Sequence, residues 1–250
     1  MIFAALICAV SAAQSAPAPK GADTRLFEMR VYYAMPGKLD DLNARFRNHT
    51  LKLFARHGMT NIGYWTPIDN TENKLVYLLA FPNREARDKS FAEFGADPEW
   101  QAVARESERN GKLVDHIEST FLMPVDYAPA VKPSRSPRSR VFELRVYTAA
   151  EGRLEDLHAR FRAHSLALIK KHGMELIGFW TPVDAKDGAG SKLICLLAHK
   201  DRAAAERSWK AFQSDPRWIR AKADSEASGP LLAAPPHTTF MLPTDYSPTR

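Results

Sequence analysis

The sequence predicts an α+β protein made of two copies of one ferredoxin-like βαββαβ unit. Three observations carry that prediction. Residues 25–69 align without a gap onto residues 140–184, at an offset of 115, and 27 of the 45 positions are identical. Each copy then passes through the same succession of two-residue and 3.6-residue apolar periods. Between the copies, residues 128–139 hold Pro129, Pro133 and Pro137 among serines and arginines, which reads as an extended, solvated linker.

The elements follow in order. Phe27, Met29 and Val31 alternate with Glu28, Arg30 and Tyr32, the pattern of a strand with one apolar and one polar face. Pro36 and Gly37 turn the chain. Leu39, Leu42, Phe46, His49 and Leu53 then recur at spacings of 3 and 4, the apolar stripe of a helix, which Gly58 ends as a C-cap. Ile62 to Thr66 and Leu75 to Phe81 read as two strands. Arg84 to Phe94 is helical, and Asp97-Pro98 supplies an N-cap and a first-turn proline for another helix. Ser119 to Met123 is the last strand, stopped by Pro124. The second copy repeats the series, with an insertion at Lys186 to Ser191, and ends at Pro243-Thr244-Asp245-Tyr246 as the first ends at Pro124-Val125-Asp126-Tyr127. The units are therefore placed at 25–127 and 140–246, with the linker at 128–139.

Composition narrows the function classes. Residues 1–16 carry no charge, with an apolar run from Ile2 to Val10 followed by small residues, as in a signal peptide; a secreted or periplasmic location is expected. After cleavage Cys195 is the one remaining cysteine, in the apolar run Leu193 to Ala198, and reads as a small buried hydrophobe. The net charge is +6, but Lys132, Arg135, Arg138 and Arg140 of the linker region supply four of those charges. The folded units are close to neutral, which argues against a nucleic-acid surface. No later stretch reaches the ~20 apolar residues of a membrane span. With no cysteine pair and no H-E-x-x-H, no metal site is expected, and no cofactor fingerprint is present.

The order F-E-[LM]-R-V-Y, G-x-L, R-F-R-x-H, H-G-M and G-[FY]-W-T-P, found twice, resembles the NIPSNAP domain over nearly the whole chain after its leader. The resemblance implies membership of the dimeric α/β-barrel superfamily, in which two ferredoxin-like units pack their sheets around a lumen; here both units belong to one chain. Related families include cofactor-free monooxygenases and haem-binding enzymes. Animal members are associated with mitochondria and partner proteins, from which this secretory-like leader departs. The resemblance transfers no set of catalytic residues.

If helices cover the apolar face of the first strand, then Glu28, Arg30 and Tyr32, with Glu143, Arg145 and Tyr147, point into such a barrel. There they form either a structural ion pair or a ligand site in which Arg binds an anionic group and Tyr or Glu moves a proton. His49 and His164, on their helical stripes, are either hydrogen-bonded core residues or a general base or haem ligand reached from the barrel. Trp65 and Trp180 on the second strands either pack the core or line a hydrophobic pocket. Three functions are consistent with these residues. The first is binding of a small apolar or aromatic ligand inside the barrel. The second is cofactor-independent monooxygenase-like chemistry using His49 or His164 with the Arg/Tyr face. The third is a protein-interaction scaffold whose exposed sheet edges or basic linker recruit a partner, including a homo-oligomer formed through sheet pairing.

Overall fold

Strand alternation fixes two faces per strand, and each of the eight strands among the described residues uses both. The structure, a computed structural model, describes residues 23–137 and 139–250. The expected signal peptide lies outside them.

The first unit contains β1 (Leu26–Ala34), α1 (Leu39–Arg45), a π-helical turn (Phe46–Thr50), α2 (Leu51–Arg56), β2 (Thr60–Pro67) and β3 (Lys74–Phe81). It continues with α3 (Arg84–Ala96), α4 (Pro98–Ser107) and β4 (Val114–Pro124). The second unit repeats this as β5 (Val141–Thr148), α5 (Leu154–Arg160), a π turn (Phe161–Ser165), α6 (Leu166–Lys171), β6 (Glu175–Pro182) and β7 (Lys192–His199). It ends with α7 (Arg202–Gln213), α8 (Pro216–Ser225) and β8 (His237–Pro243). Capping sets the helix starts. Asn83 accepts the Ala86 N–H at 2.8 Å, and Asp97 accepts that of Glu99 at 2.8 Å ahead of Pro98.

The strands close into one barrel in the order β1-β3-β2-β8-β5-β7-β6-β4. Two antiparallel seams join the units. Thr66 of β2 stands opposite Leu242 of β8, and Met123 of β4 opposite Thr181 of β6. Closure within the chain thus joins the outer strands of the two sheets to each other, through three residue pairs at each seam. Each unit's tail also crosses onto its neighbour's helices. The Tyr246 hydroxyl donates to Asn43 Oδ1 at 2.6 Å, and the Tyr127 hydroxyl lies 2.7 Å from His158 Nδ1.

Phe27, Trp65, Val76, Leu78, Phe142, Trp180, Ile194, Leu196 and Met241 are buried together in the lumen, with Met29, Val31, Leu144 and Val146 packed against them. What remains is a space of about 10 Å³, room for at most one water. An eight-stranded barrel is just wide enough for its side chains to fill. Between each sheet and its own helices lies a separate core, one around Phe46, Phe54 and Tyr77, the other around Phe161, Ile169 and Cys195.

The linker departs from the expected solvated strand. Val131 is 1% exposed and joins the lumen cluster, and its N–H donates to Asp23 Oδ2 at 3.1 Å. Ser136 and Arg250 exchange backbone contacts with the linker and the C-terminal residues, through Ser136 N to Arg250 O and Arg250 N to Ser134 O. A single Val in a polar run is enough to anchor the segment across one barrel end.

Candidate functional site

The polar row of the first strand faces the helices, not the lumen. Glu28, Arg30 and Tyr32, and in the second unit Glu143, Arg145 and Tyr147, thus lie on the side opposite to the one expected. A lumen with room for at most one water favours the purely apolar row. The polar row instead finds partners on its own and neighbouring strands, completed by one helix residue in each unit, Arg87 of α3 and Trp209 of α7. Trp65 and Trp180 do face the lumen, but they fill it.

His49 and His164 are exposed. In an uninterrupted helix each would fall on the buried stripe, since successive residues turn by ~100°. The π turn adds a residue to that turn of helix. Thr50 and Ser165, both 1% exposed, take the inward position instead.

In the second unit Glu143 is fully buried and gathers three donors. Its Oε1 lies 2.6 Å from Arg145 Nη1, and its Oε2 lies 2.8 Å from both His199 Nε2 and Trp209 Nε1. Burial alone would raise its pKa, but the bond from His199, the charge of Arg145 and the bond from Trp209 outweigh it and hold the carboxyl below the usual range. Arg145 Nε donates to Tyr147 Oη at 3.0 Å, and the guanidinium lies 4.1 Å from the centre of the Trp209 ring. Burial works against the charge on Arg145, but Tyr147 and Glu143 reverse the effect. Burial pushes the Tyr147 hydroxyl and the Cys195 thiol well above their ordinary values. Both stay protonated, so Cys195 is the inert buried hydrophobe expected of it.

The first unit uses the same frame with other partners. Glu28 meets Arg30 at 2.5 Å, Arg87 through two bonds of 2.8 Å, and Ser119 at 2.7 Å, while Arg30 Nε donates to Tyr77 Oη at 2.9 Å. By strand register, Tyr77 corresponds to Cys195 and Phe81 to His199. Along the helices Arg87 corresponds to Ala205 and Phe91 to Trp209.

Those exchanges go with two unequal cavities between sheet and helices. The one in the second unit has a volume of about 890 Å³, with Arg145, Tyr147, Arg160, Ile169, Trp209 and Trp218 in its wall. Its counterpart in the first unit has about 470 Å³ and is lined by Tyr32, Arg45, Phe54 and Trp100 among others. At one wall position Phe54 is replaced by the smaller Ile169. At the mouth, β4 begins at Val114 and lays Val114 to Ile117 against the smaller cavity, whereas β8 starts only at His237 and a proline-rich loop, Pro230 to Pro236, rims the larger one.

Of the residues expected at a site, Arg145 and Tyr147 line the larger cavity and Tyr32 the smaller one. Glu28 and Glu143 brace the arginines from beneath. Sequence reasoning passed over Arg160, a buried side chain whose Nη1 donates to Glu226 Oε1 at 2.7 Å and whose guanidinium lies 5.0 Å from the Trp218 ring. Arg45 repeats this with Glu108 at 3.1 Å and Trp100 at 5.3 Å. The signal was the first arginine of the repeated R-F-R, which falls on the inward helix face beside Phe46 and Phe161. No cluster of potential metal ligands occurs among the described residues, and no described helix is long and apolar enough to cross a membrane.

The NIPSNAP family model matches residues 27–129 and again 142–248. The chain belongs to the NIPSNAP family. Protein NipSnap homolog 3B of Mus musculus is 25% identical to it over 240 residues, covering 94% of this chain and 90% of that protein. Among solved structures, a monooxygenase-like protein from Lactobacillus acidophilus NCFM matches with a TM-score of 0.56 at 10% identity, over 88% of this chain and 94% of that one. An anthrone oxidase-like protein matches with a TM-score of 0.58 at 13% identity, over 91% of this chain and 94% of that one. At such identities the likeness is one of fold. This NIPSNAP chain carries two units of the dimeric α/β-barrel type, joined covalently and closed on each other.

Proposed function

We propose that this NIPSNAP protein binds a small apolar or aromatic molecule in the sheet–helix cavity of its second unit. The observation that carries the reading is the inequality of the two cavities, about 890 against 470 Å³, built on one repeated frame. The larger volume lies in the range of small-molecule sites. Its wall offers flat and branched apolar surface from Trp209, Phe212, Trp218 and Ile169 around a few polar groups. The lumen, where binding was first expected, is packed shut.

A monooxygenase-like reaction draws on the fold likeness, but the residues favour binding. His49 and His164 are exposed and line neither cavity, and burial pushes the Tyr147 hydroxyl well above its ordinary value. A phenol in that state offers a hydrogen bond rather than a base.

The test is titration of the full chain with N-phenyl-1-naphthylamine, a neutral apolar fluorophore. One saturable site per chain is expected. Ile169→Phe, which installs the residue the first unit carries, should weaken binding by about ten-fold or more, the scale set by misfit in an apolar pocket. Phe54→Ile, in the other cavity, should leave that site's affinity unchanged. Unaltered binding in a normally melting Ile169→Phe variant would sink the assignment.

A further inference from the structure

The two cavities differ in charge as well as in volume. Arg145, Arg160 and Lys222 line the larger one with a single carboxylate, Glu226. Arg45 and Lys112 line the smaller one with two, Glu108 and Asp115. The difference arises at the sheet. In the first unit Arg87 of α3 shares Glu28 with Arg30, the Arg30 guanidinium lies 4.9 Å from the Phe91 ring, and Arg30 is not part of the cavity wall. In the second unit Ala205 takes the place of Arg87, and Arg145 reaches the wall.

Neither arginine spends all its donors on protein. Arg145 uses Nη1 on Glu143 and Nε on Tyr147, and its Nη2 has no partner among the described residues. Arg160 uses Nη1 on Glu226 and Ser225, its Nε is buried without a hydrogen bond, and its Nη2 also lacks a partner among the described residues. The Arg160 side chain is only 4% exposed, so a donor there is nearly cut off from bulk water. An unpaired donor on a buried cation is costly, and a ligand acceptor relieves that cost. Glu143 answers Arg145 from beneath the wall, where it is shared with His199 and Trp209.

The geometry points to an aromatic carboxylate as the class of molecule that the second cavity selects, its ring among Trp209, Phe212 and Trp218 and its carboxylate at the arginine side. This rests on the ligand-binding reading above and adds the charge of the ligand to it. Planar guanidinium groups suit a carboxylate better than a point anion does. Arg45 in the first cavity has the same unpaired Nε, but there Glu108 and Asp115 balance Arg45 and Lys112 and the space is about half as large, so charge and size, not the orphaned donor alone, set the second cavity apart.

The experiment is calorimetric titration of the full chain with 2-naphthoate and with 2-naphthamide, which have nearly the same shape but differ in charge. The carboxylate should bind about ten-fold or more tightly than the amide, the scale of a charge-assisted hydrogen bond. Arg160→Met should bring the two within about three-fold of each other, and Arg160→Lys should keep part of the preference. Arg45→Met makes the same truncation in the other unit, carries the matching folding cost, and should leave the preference intact. Equal binding of both naphthalenes by the wild-type chain would overturn the charge inference and leave the cavity reading standing. Binding of neither, with N-phenyl-1-naphthylamine also silent, would overturn both. A preference that survives Arg160→Met would remove Arg160 from the site.

Discussion

Glu143 carries a full charge to a position with no solvent exposure, and its three donors decide whether that is tolerable. Breaking a buried pair by neutralising one member costs about 3–5 kcal/mol, because the other charge stays behind. Glu143→Gln should therefore destabilise the chain by about that amount in urea denaturation. Glu28→Gln should cost at least as much, since it abandons two guanidinium groups, Arg30 and Arg87, rather than one. The pH dependence follows from the direction of the shift. Both carboxyls sit below their unfolded value in the native state, because donors and cations outweigh burial. The unfolded chain thus takes up the proton first as pH falls below about 4.3. The stabilisation is complete above that pH and is lost as pH drops through the folded-state pKa. The gap between wild type and Glu143→Gln should accordingly shrink in acid. A gap that is constant from pH 7 to pH 3 would mean that the charge is not what the site needs.

At the scale of elements, the repeat made nearly every strand and helix legible, because period and capping residues are local properties. Asp97-Pro98 and its copy Asp215-Pro216 start helices as read. Three things were hidden. Alternation in β1 separates Phe27, Met29 and Val31 from Glu28, Arg30 and Tyr32, but it says nothing about which row meets the helices when both faces are buried. The π turns were equally silent, because Leu42, Phe46, His49 and Leu53 fit an α-helical period. The cavity itself was illegible for another reason: it arises where the copies differ, at Ile169, Cys195, Ala205 and Trp209, whereas a repeat draws attention to where they agree. The π turn makes its own prediction. Deleting Asn48 should close Phe46–Thr50 to ordinary helical bonding while keeping α1 and α2 on their present faces, since the bulge is one residue in excess. Inserting an alanine after Asn48 should swing Leu53 and Phe54 by ~100° out of the core. Thermal melting should show the deletion close to wild type and the insertion strongly destabilised or unfolded. The reverse order would refute this account of His49.

For the whole molecule, the decisive feature is that lumen and cavities are separate compartments divided by the sheet. Two glycines guard the lumen. A Cβ on Gly178 would stand 2.0 Å from the Trp180 ring, and one on Gly63 would stand 2.3 Å from that of Trp65. Both glycines sit where strand register shifts, so each tryptophan folds back over a position without a side chain. With about 10 Å³ to spare, the indole has nowhere to go. Gly178→Ala should cost about 1–3 kcal/mol, as overpacking does. In a Trp180→Phe background, where the clashing part of the ring is absent, the same substitution should cost clearly less, a coupling that a double-mutant cycle reads directly. Its effect on N-phenyl-1-naphthylamine affinity then separates the compartments. A ligand held between sheet and helices should bind the destabilised Gly178→Ala protein as tightly as wild type at a temperature where both are folded. A ligand held in the lumen would be displaced with the ring, and a parallel loss of affinity and stability in this variant would return the binding site to the barrel interior.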